Sequence, residues 1–413
     1  MVVQPRAVTE QEFAAFTTQV AAAFGYNGTL PLDGERRLTE LERTRAVFEG
    51  DEPIATSESL GFQLTVPGPR PIPVAAIAKV GVATAHRRQG VLRAMMAALL
   101  DDADARREAV SILYASEAPI YGRFGYGPAT SQTTITVDSQ LAVRRDRADL
   151  RSCQRLANAG AVAQLAPLFD AAAERTVGAV NRSRAWWEEL VGVRRSYRGG
   201  GNPFVVAHRG DGGALDGYVL YRVLHPGGGV GPGVVALDEL VTLNDEAAHA
   251  LWSYCLSVDL TTSVVATARP VDDPLPWWLV DRRHAVFSDL RDALWVRLVD
   301  LGAALEARSY RTADVVGLDV VDPFRPRNAG RWELRTAADG TARCRRVDAG
   351  GAGGERPADV RVEVGALGSV YLGGVSWHTL QRAGLVAAPD PSVLDRLDAL
   401  FGGSGAPWCA MHF

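Results

Sequence analysis

Val80-Gly81-Val82-Ala83-Thr84-Ala85-His86-Arg87-Arg88-Gln89-Gly90-Val91-Leu92-Arg93 is the stretch that decides the fold. Apolar and small residues alternate up to Ala83 and then give way to a polar, basic turn, so a strand ends near Thr84. Beyond the turn Val91, Leu92, Met95, Met96, Leu99 and Leu100 recur at helical spacing, whereas Arg93, Asp101 and Asp102 fall off that stripe. A helix therefore begins at about Gly90 with one face turned inward. The first amides of a helix lack intrahelical partners and lie at the positive end of its dipole, so a strand-turn-helix junction of this kind can hold a phosphate. Gly90 lets the anion approach the backbone, and Arg87 and Arg88 add positive charge.

Downstream, Val110-Ser111-Ile112-Leu113-Tyr114 is β-branched and aromatic and reads as the next strand. It runs into Ala115-Ser116-Glu117-Ala118-Pro119-Ile120-Tyr121-Gly122-Arg123-Phe124-Gly125-Tyr126-Gly127. The turn resembles the pyrophosphate loop of the GNAT superfamily, Arg/Gln-x-x-Gly-x-Gly/Ala, with Leu92 where a small residue is usual. The Ala-Ser-Glu and Ile-Tyr-Gly-Arg-Phe-Gly-Tyr-Gly runs, placed after His-Arg-Arg-x-Gly-x-Leu-Arg, resemble those of the Eis (enhanced intracellular survival) family of acetyltransferases. The likeness reaches the far end, Ala406-Pro407-Trp408-Cys409-Ala410-Met411-His412-Phe413, since chains of that family terminate in Phe.

The resemblance implies an α/β (α+β) chain of tandem GNAT folds, the N-terminal one active and the central one degenerate, followed by a C-terminal sterol-carrier-protein-like domain. The expected divisions are 1–147, 148–292 and 293–413. Acetyl-CoA is the expected co-substrate, and no metal is implied. Val80, Gly81 and Val82 would bond the pantetheine and polarise the thioester carbonyl. Arg88, Gln89, Gly90, Val91, Leu92 and Arg93 would cradle the pyrophosphate, and Ser116 and Glu117 would line the opposite strand. Arg87 is a looser candidate, and His86 reads as a solvated turn residue.

Acetyl transfer to an amine needs an uncharged nucleophile, a polarised thioester and a proton for the leaving thiolate. A lysine-like amine with a pKa of about 10.4 costs roughly 4 to 5 kcal/mol to deprotonate at pH 7, so a base is required. By the resemblance that base is the terminal carboxylate of Phe413. A free α-carboxyl has a pKa of only about 3.3 to 3.7, so burial or a water relay must assist it. Tyr121 is the matching general acid, its phenol protonated at neutral pH, with Tyr126 as a nearby competitor.

The acceptor implied is a small-molecule amine of the aminoglycoside or polyamine type, with Phe24, Tyr26, Asp33, Glu35 and Trp186 as candidate lining residues. Family members that handle polycations place an acidic residue before the terminal Phe; His412 stands there in this chain and removes that charge. A peptide or protein N-acetyltransferase and a catalytically idle lipid-binding protein are the competing readings. The family likeness also implies a homohexamer.

Composition fits a multidomain enzyme: 413 residues suffice for two or three domains with large cores. No run of eighteen apolar residues occurs and the first residues lack a signal-peptide pattern, so no membrane span and a cytoplasmic location are expected. The net charge of −4 and the absence of basic blocks give no affinity for nucleic acid. Cys153, Cys255, Cys344 and Cys409 are scattered, which suits core filling and neither a zinc site nor a disulfide framework. Lys79 is the only lysine, so arginine is the default cation.

Along the chain, residues 2–7 read as a strand, and Thr9 to Glu12 as a capping box for a helix reaching about Phe24. A charged helix over 35–45 is expected, then antiparallel strands at 46–55, 61–66 and 75–82, with 133–137 closing the first domain and 144–151 as a polar link. In the middle, 204–208 and 218–221 form a hairpin, and 235–241 leads into a helix over 247–258. That junction, Thr242-Leu243-Asn244-Asp245-Glu246, has neither glycine nor arginine, and its acidic groups would repel a pyrophosphate. The pairs Trp186-Trp187 and Trp277-Trp278 read as core or interface. The last segment has strands at 294–299 and 313–320, a Gly-rich excursion at 350–354 and two closing helices.

Overall fold

A computed structural model describes residues 4–28, 30–146, 148–191, 201–225, 231–347 and 358–413. The Gly-rich excursion at 350–354 lies outside the described residues, as do residues 1–3 and with them the start of the expected strand at 2–7. The chain divides into two compact units. The first comprises Met1–Thr130, Ala293–Ser404 and His412–Phe413, the second Ser131–Asp292 and Gly405–Met411.

In the first unit, helices α1 (Phe13–Ala23) and α2 (Leu32–Leu38) precede strands β1 (Thr44–Glu49), β2 (Glu52–Val66) and β3 (Arg70–Val82). Helix α3 (Val91–Ala105), strand β4 (Val110–Tyr114), the short helix α4 (Ala118–Tyr121) and strand β5 (Gly127–Pro128) follow. Ahead of α1, Glu12 reaches back to the Thr9 amide at 2.9 Å, one half of the expected capping box. Arg6 forms only an isolated bridge to Ala46 where a strand was expected.

The expected helix over 35–45 is two pieces, α2 and a single 3-10 turn at Leu41–Arg43, after which the chain is already strand. Two of the charges there are withdrawn from solvent, while Arg37, Glu40 and Glu42 are exposed. Arg43 is buried and bonds Glu108 at 2.6 Å and the Ser59 carbonyl at 3.0 Å, and Arg45 pairs with Asp102 at 2.8 Å. Likewise the expected strand at 46–55 is a hairpin of β1 and β2 turning at Gly50, and β2 runs unbroken for 15 residues.

The first sheet has six strands, ordered β1, β2, β3, β4, Leu294–Leu298, β5. Its fifth member comes from the stretch read as the start of the third domain; Val296 pairs with Ile112 of β4 and with Gly127 of β5. The reverse correction applies to residues 133–137. They belong to strand β6 (Ser131–Asp138), which does not close the first domain but lies in the second unit's seven-stranded sheet between Thr261–Arg269 and Ala285–Asp292. β6 alternates apolar and polar residues, whereas Leu294–Leu298 is a short run buried throughout, and neither pattern says which sheet a strand joins.

The remainder of the first unit holds a five-stranded sheet with the helices Leu301–Ala307, Val364–Val370, Trp377–Arg382 and Ser392–Phe401. Val364–Val370 meets the first sheet through glycines. A β-carbon on Gly127 would stand 1.8 Å from the Gly365 carbonyl oxygen, and one on Gly368 would stand 2.3 Å from that of Val296. Buried Arg297 on the inserted strand pairs with buried Asp322 at 2.5 Å, and Asn328 joins the same carboxylate at 3.2 Å.

The second unit contains the expected hairpin, Phe204–Arg209 with Leu215–Leu224, and the strand Gly233–Thr242 leading into the helix Asp245–Cys255. Trp187 is core and Trp277 is exposed. Among the described residues no helix is long and apolar enough to cross a membrane, and the four cysteines are free, three of them buried.

Candidate active site

Strand β3 pairs with β4 in parallel only from Val74↔Val110 to Ile77↔Leu113, yet β3 continues to Val82. The two strands part at Ala78, so the opening lies inside β3 and not after it. The cause is a bulge. From Glu58 to Thr56 β2 advances two residues while β3 advances three, from Ala78 to Gly81. Lys79 has φ 53°, and its carbonyl accepts from Thr56 at 3.1 Å. The extra residue turns Val80 toward the core that Met96 and Leu99 of α3 also build.

At the head of α3 the chain curls. Arg88 has φ 62° and Gly90, the residue capping the helix, φ 81°, and no side chain caps the first amides. Left-handed residues this close turn successive N–H groups toward one concavity, which favours an anion. The homologous junction of the second unit differs: Asn244 caps its own helix, its Oδ1 accepting from the Ala247 amide at 2.8 Å, with Asp245 and Glu246 in the first turn. There the opening between strands, beyond Leu237↔Ala266, holds a cavity of about 230 Å³ lined in part by Asp245, Trp252, Arg269 and Trp408. The Trp408 indole donates to the Ala268 carbonyl at 2.8 Å.

The first unit's opening forms a cleft of about 900 Å³. It is lined by Val80, Gly81 and Val82, by Arg88, Gly90, Val91, Leu92 and Arg93, and by Ser116, Glu117 and Tyr121. Thus the residues expected to bind the co-substrate are brought together, with one exception. Gln89 is not among the lining residues, and its side-chain amide folds back on the Ala85 carbonyl at 3.1 Å. Arg87 and His86 line the cleft as well. The reading of His86 as a solvated turn residue is corrected: its side chain is 21% exposed and its Nε2 lies 3.5 Å from Glu49. Two features had no signal in the sequence, the bulge at Lys79 and the cleft-lining Ala23 of α1, against which Gly81 packs so closely that a β-carbon would stand 2.5 Å away.

Tyr121 and Tyr126 part company here. Tyr121 lines the cleft, and burial pushes its phenol up, opposed by a hydrogen bond with Ser116. Tyr126 is buried among side chains with its hydroxyl on Ser111 at 2.7 Å, and burial raises it strongly. The ring of Phe413 lies 5.4 Å from Phe62 on β2 and 5.1 Å from Tyr114 at the end of β4, and His412 stacks on Tyr114 at 4.3 Å. Of the candidate acceptor-lining residues, Phe24 lines the cleft and is half exposed, Glu35 is ion-paired to Lys79, and Trp186 belongs to the second unit.

The donor set suits a nucleotide thioester. The concave turn and uncapped helix would take a pyrophosphate, and the unpaired edge of β3 beyond Ile77 would take the amides of a pantetheine arm.

Comparison with known proteins agrees. Residues 4–129 and 178–298 each match an acetyltransferase (GNAT) domain family, and 301–410 match a sterol carrier protein domain family. An uncharacterised N-acetyltransferase of Streptomyces coelicolor is 37% identical over the full length of both chains. The N-acetyltransferase Eis of Mycobacterium tuberculosis is 33% identical over 88% of this chain and 87% of its own. The crystal structure of Eis1 from Mycobacterium abscessus superposes with a TM-score of 0.87 at 35% identity, covering 99% of this chain and 100% of that one. The chain belongs to the Eis family of GNAT N-acetyltransferases, with two GNAT domains and a sterol-carrier-protein-like domain.

Proposed function

We propose that the protein moves the acetyl group of acetyl-CoA directly to an amine, with Tyr121 as general acid and the terminal carboxylate of Phe413 as base. The observation that carries this reading is the cleft that opens at Ala78, with the curled turn at Arg88 to Gly90 at one end and Tyr121 in its wall. The neutral amine forms the C–N bond at the thioester carbonyl carbon. As the C–S bond breaks the thiolate takes the Tyr121 proton, and the phenolate recovers one from the nitrogen becoming an amide. The proton first shed by the ammonium goes to the carboxylate or through it to water. The edge amides of β3 polarise the carbonyl, and Val91 to Arg93 hold the pyrophosphate.

Family likeness supports aminoglycoside-type polyamines as an acceptor class, together with a cytoplasmic homohexamer that sedimentation velocity would test. Thiol release from acetyl-CoA, measured with aminoglycosides, arylalkylamines and lysine peptides, tests the reaction. Turnover with amines is expected; turnover confined to peptides would reassign the acceptor, and none with any amine would overturn the reading. Adding one glycine after Phe413 moves the carboxylate by about 3.5 Å without altering a side chain. It is expected to lower kcat at least tenfold, and wild-type turnover would remove the carboxylate from the mechanism.

A further inference from the structure

Strand register places an unassigned ionic cluster on the same face of the sheet as the chain's last residues. Ala75, Ile77 and Leu113 pack against Met96 and Leu99 of α3. By alternation Val74, Ala76 and Ala78 on β3, and Ile112 and Tyr114 on β4, face the opposite side. Phe62 and Glu58 on β2, paired with Val74 and Ala78, share that side. Phe62 and Tyr114 hold the ring of Phe413 there. The bulge at Lys79 keeps its side chain on this face too, where the ammonium lies 2.8 Å from Glu35, 3.0 Å from Glu58 and 3.0 Å from the Thr39 hydroxyl. Thr39 in turn donates to Glu58 at 3.0 Å.

The cluster is tightly built but not sealed. The Glu58 side chain is 3% exposed, while those of Lys79 and Glu35 are 16% and 21% exposed, so its outer edge meets water. Burial disfavours the Lys79 ammonium, but the carboxylates of Glu58 and Glu35 outweigh it and raise its pKa above the usual lysine range. The lysine is therefore charged at neutral pH. One ammonium against two carboxylates leaves the trio at −1 when both are ionised; burial raises the Glu58 carboxyl and Lys79 opposes that, so without the lysine an incoming ammonium would be needed to take over the same role. Near the tail this face also carries a group of rings in mutual contact, Phe62, Tyr114, His412 and Phe413.

Resting on the acetyl-transfer reading above, we infer that Lys79 is a specificity-determining residue. It fills with the protein's own ammonium the carboxylate pair that a polyamine's second ammonium would otherwise use, so the site prefers an amine with one cationic centre on an aromatic body. A polycation must compete with a tethered ammonium already bonded to three oxygens, whereas a monocation needs only the reacting position and the rings.

The test compares spermidine with phenethylamine on the full-length protein. It measures kcat/KM for both and, independently of turnover, calorimetric binding of both to the CoA-saturated protein. Lys79→Met is expected to raise the spermidine-to-phenethylamine ratio about tenfold and to make it fall with salt. Adding Glu58→Gln to that variant should return the ratio toward wild type. A ratio within twofold of wild type in folded Lys79→Met overturns the inference. Should that variant not fold, Glu35→Gln at the more exposed position must shift the ratio the other way, and no shift there overturns it equally. Absence of turnover with every amine would remove the acetyl-transfer reading, while the binding ratio would still judge Lys79.

Discussion

Tyr121 and Tyr126 stand five positions apart in one glycine-rich run, where only the family resemblance selects Tyr121 as the acid and Tyr126 is a nearby competitor. Their separation depends on partners distant in the chain. Tyr126 is closed in by Ser111 on β4, and Gly125 beside it leaves room for Arg297, whose guanidinium would stand 2.3 Å from an added β-carbon. Tyr121→Phe is expected to lower kcat by about 10²- to 10⁴-fold with acetyl-CoA affinity unchanged. Tyr126→Phe removes the hydrogen bond to Ser111, whose own hydroxyl still donates to the Ala75 carbonyl at 2.9 Å, and is expected to cost about 0.5 to 1.5 kcal/mol of stability, read by denaturant melts, with kcat nearly kept. Because burial raises the Tyr121 phenol above its ordinary value of 10.0, its proton is retained to higher pH. The acid should therefore stay competent up to pH 10. A loss of kcat below that pH which Tyr121→Phe abolishes would contradict the assignment.

Among elements, the strand-turn-helix junction was the most legible, because apolar periodicity, glycine and arginine all mark it locally. Its helix begins at Val91 after Gly90, as the spacing requires. The 35–45 segment was misread for an equally physical reason. Arg43 and Arg45 look like a solvated helix face, yet both are ion-paired strand-border residues whose partners, Glu108 and Asp102, come from α3 and the turn after it. Nor does local sequence separate the two halves of the Ile-Tyr-Gly-Arg-Phe-Gly-Tyr-Gly run. Ile120, Tyr121, Arg123 and Phe124 line the cleft, whereas Gly125 and Gly127 make room for Arg297 and for the Val364–Val370 helix. Gly127→Ala would drive a methyl into the Gly365 carbonyl, and a fall in Tm of several degrees is expected from overpacking of roughly 1 to 3 kcal/mol. An unchanged Tm would mean that the helix can move away.

At the scale of the molecule, three domain types were readable from motifs, but their boundaries in space were not. The exchange of β6 for Leu294–Leu298 leaves no local mark, since neither the alternation of β6 nor the short buried run of Leu294–Leu298 names a partner strand. The inserted strand is held by charge as well as by register. Asp322 is the carboxylate that Arg297 meets among the described residues, and the Nε and Nη1 of Arg297 have no partner there. Asp322→Asn would leave a buried guanidinium without its counter-charge and is expected to destabilise the first unit by about 3 to 5 kcal/mol in urea melts. A loss under 1 kcal/mol would show that the guanidinium finds another acceptor.

The inserted strand also sets a timetable for synthesis. About 170 residues separate Pro128, the end of β5, from Leu298, the end of the strand that seats it beside β4. At roughly 5 to 20 residues per second a ribosome needs about ten to thirty seconds to cover that distance. Throughout it the nascent first domain carries β4 as a bare, apolar edge open to any passing strand. The interval in which this chain is most exposed to aggregation thus falls during translation, before its first domain can close, and it is there that a chaperone would be needed.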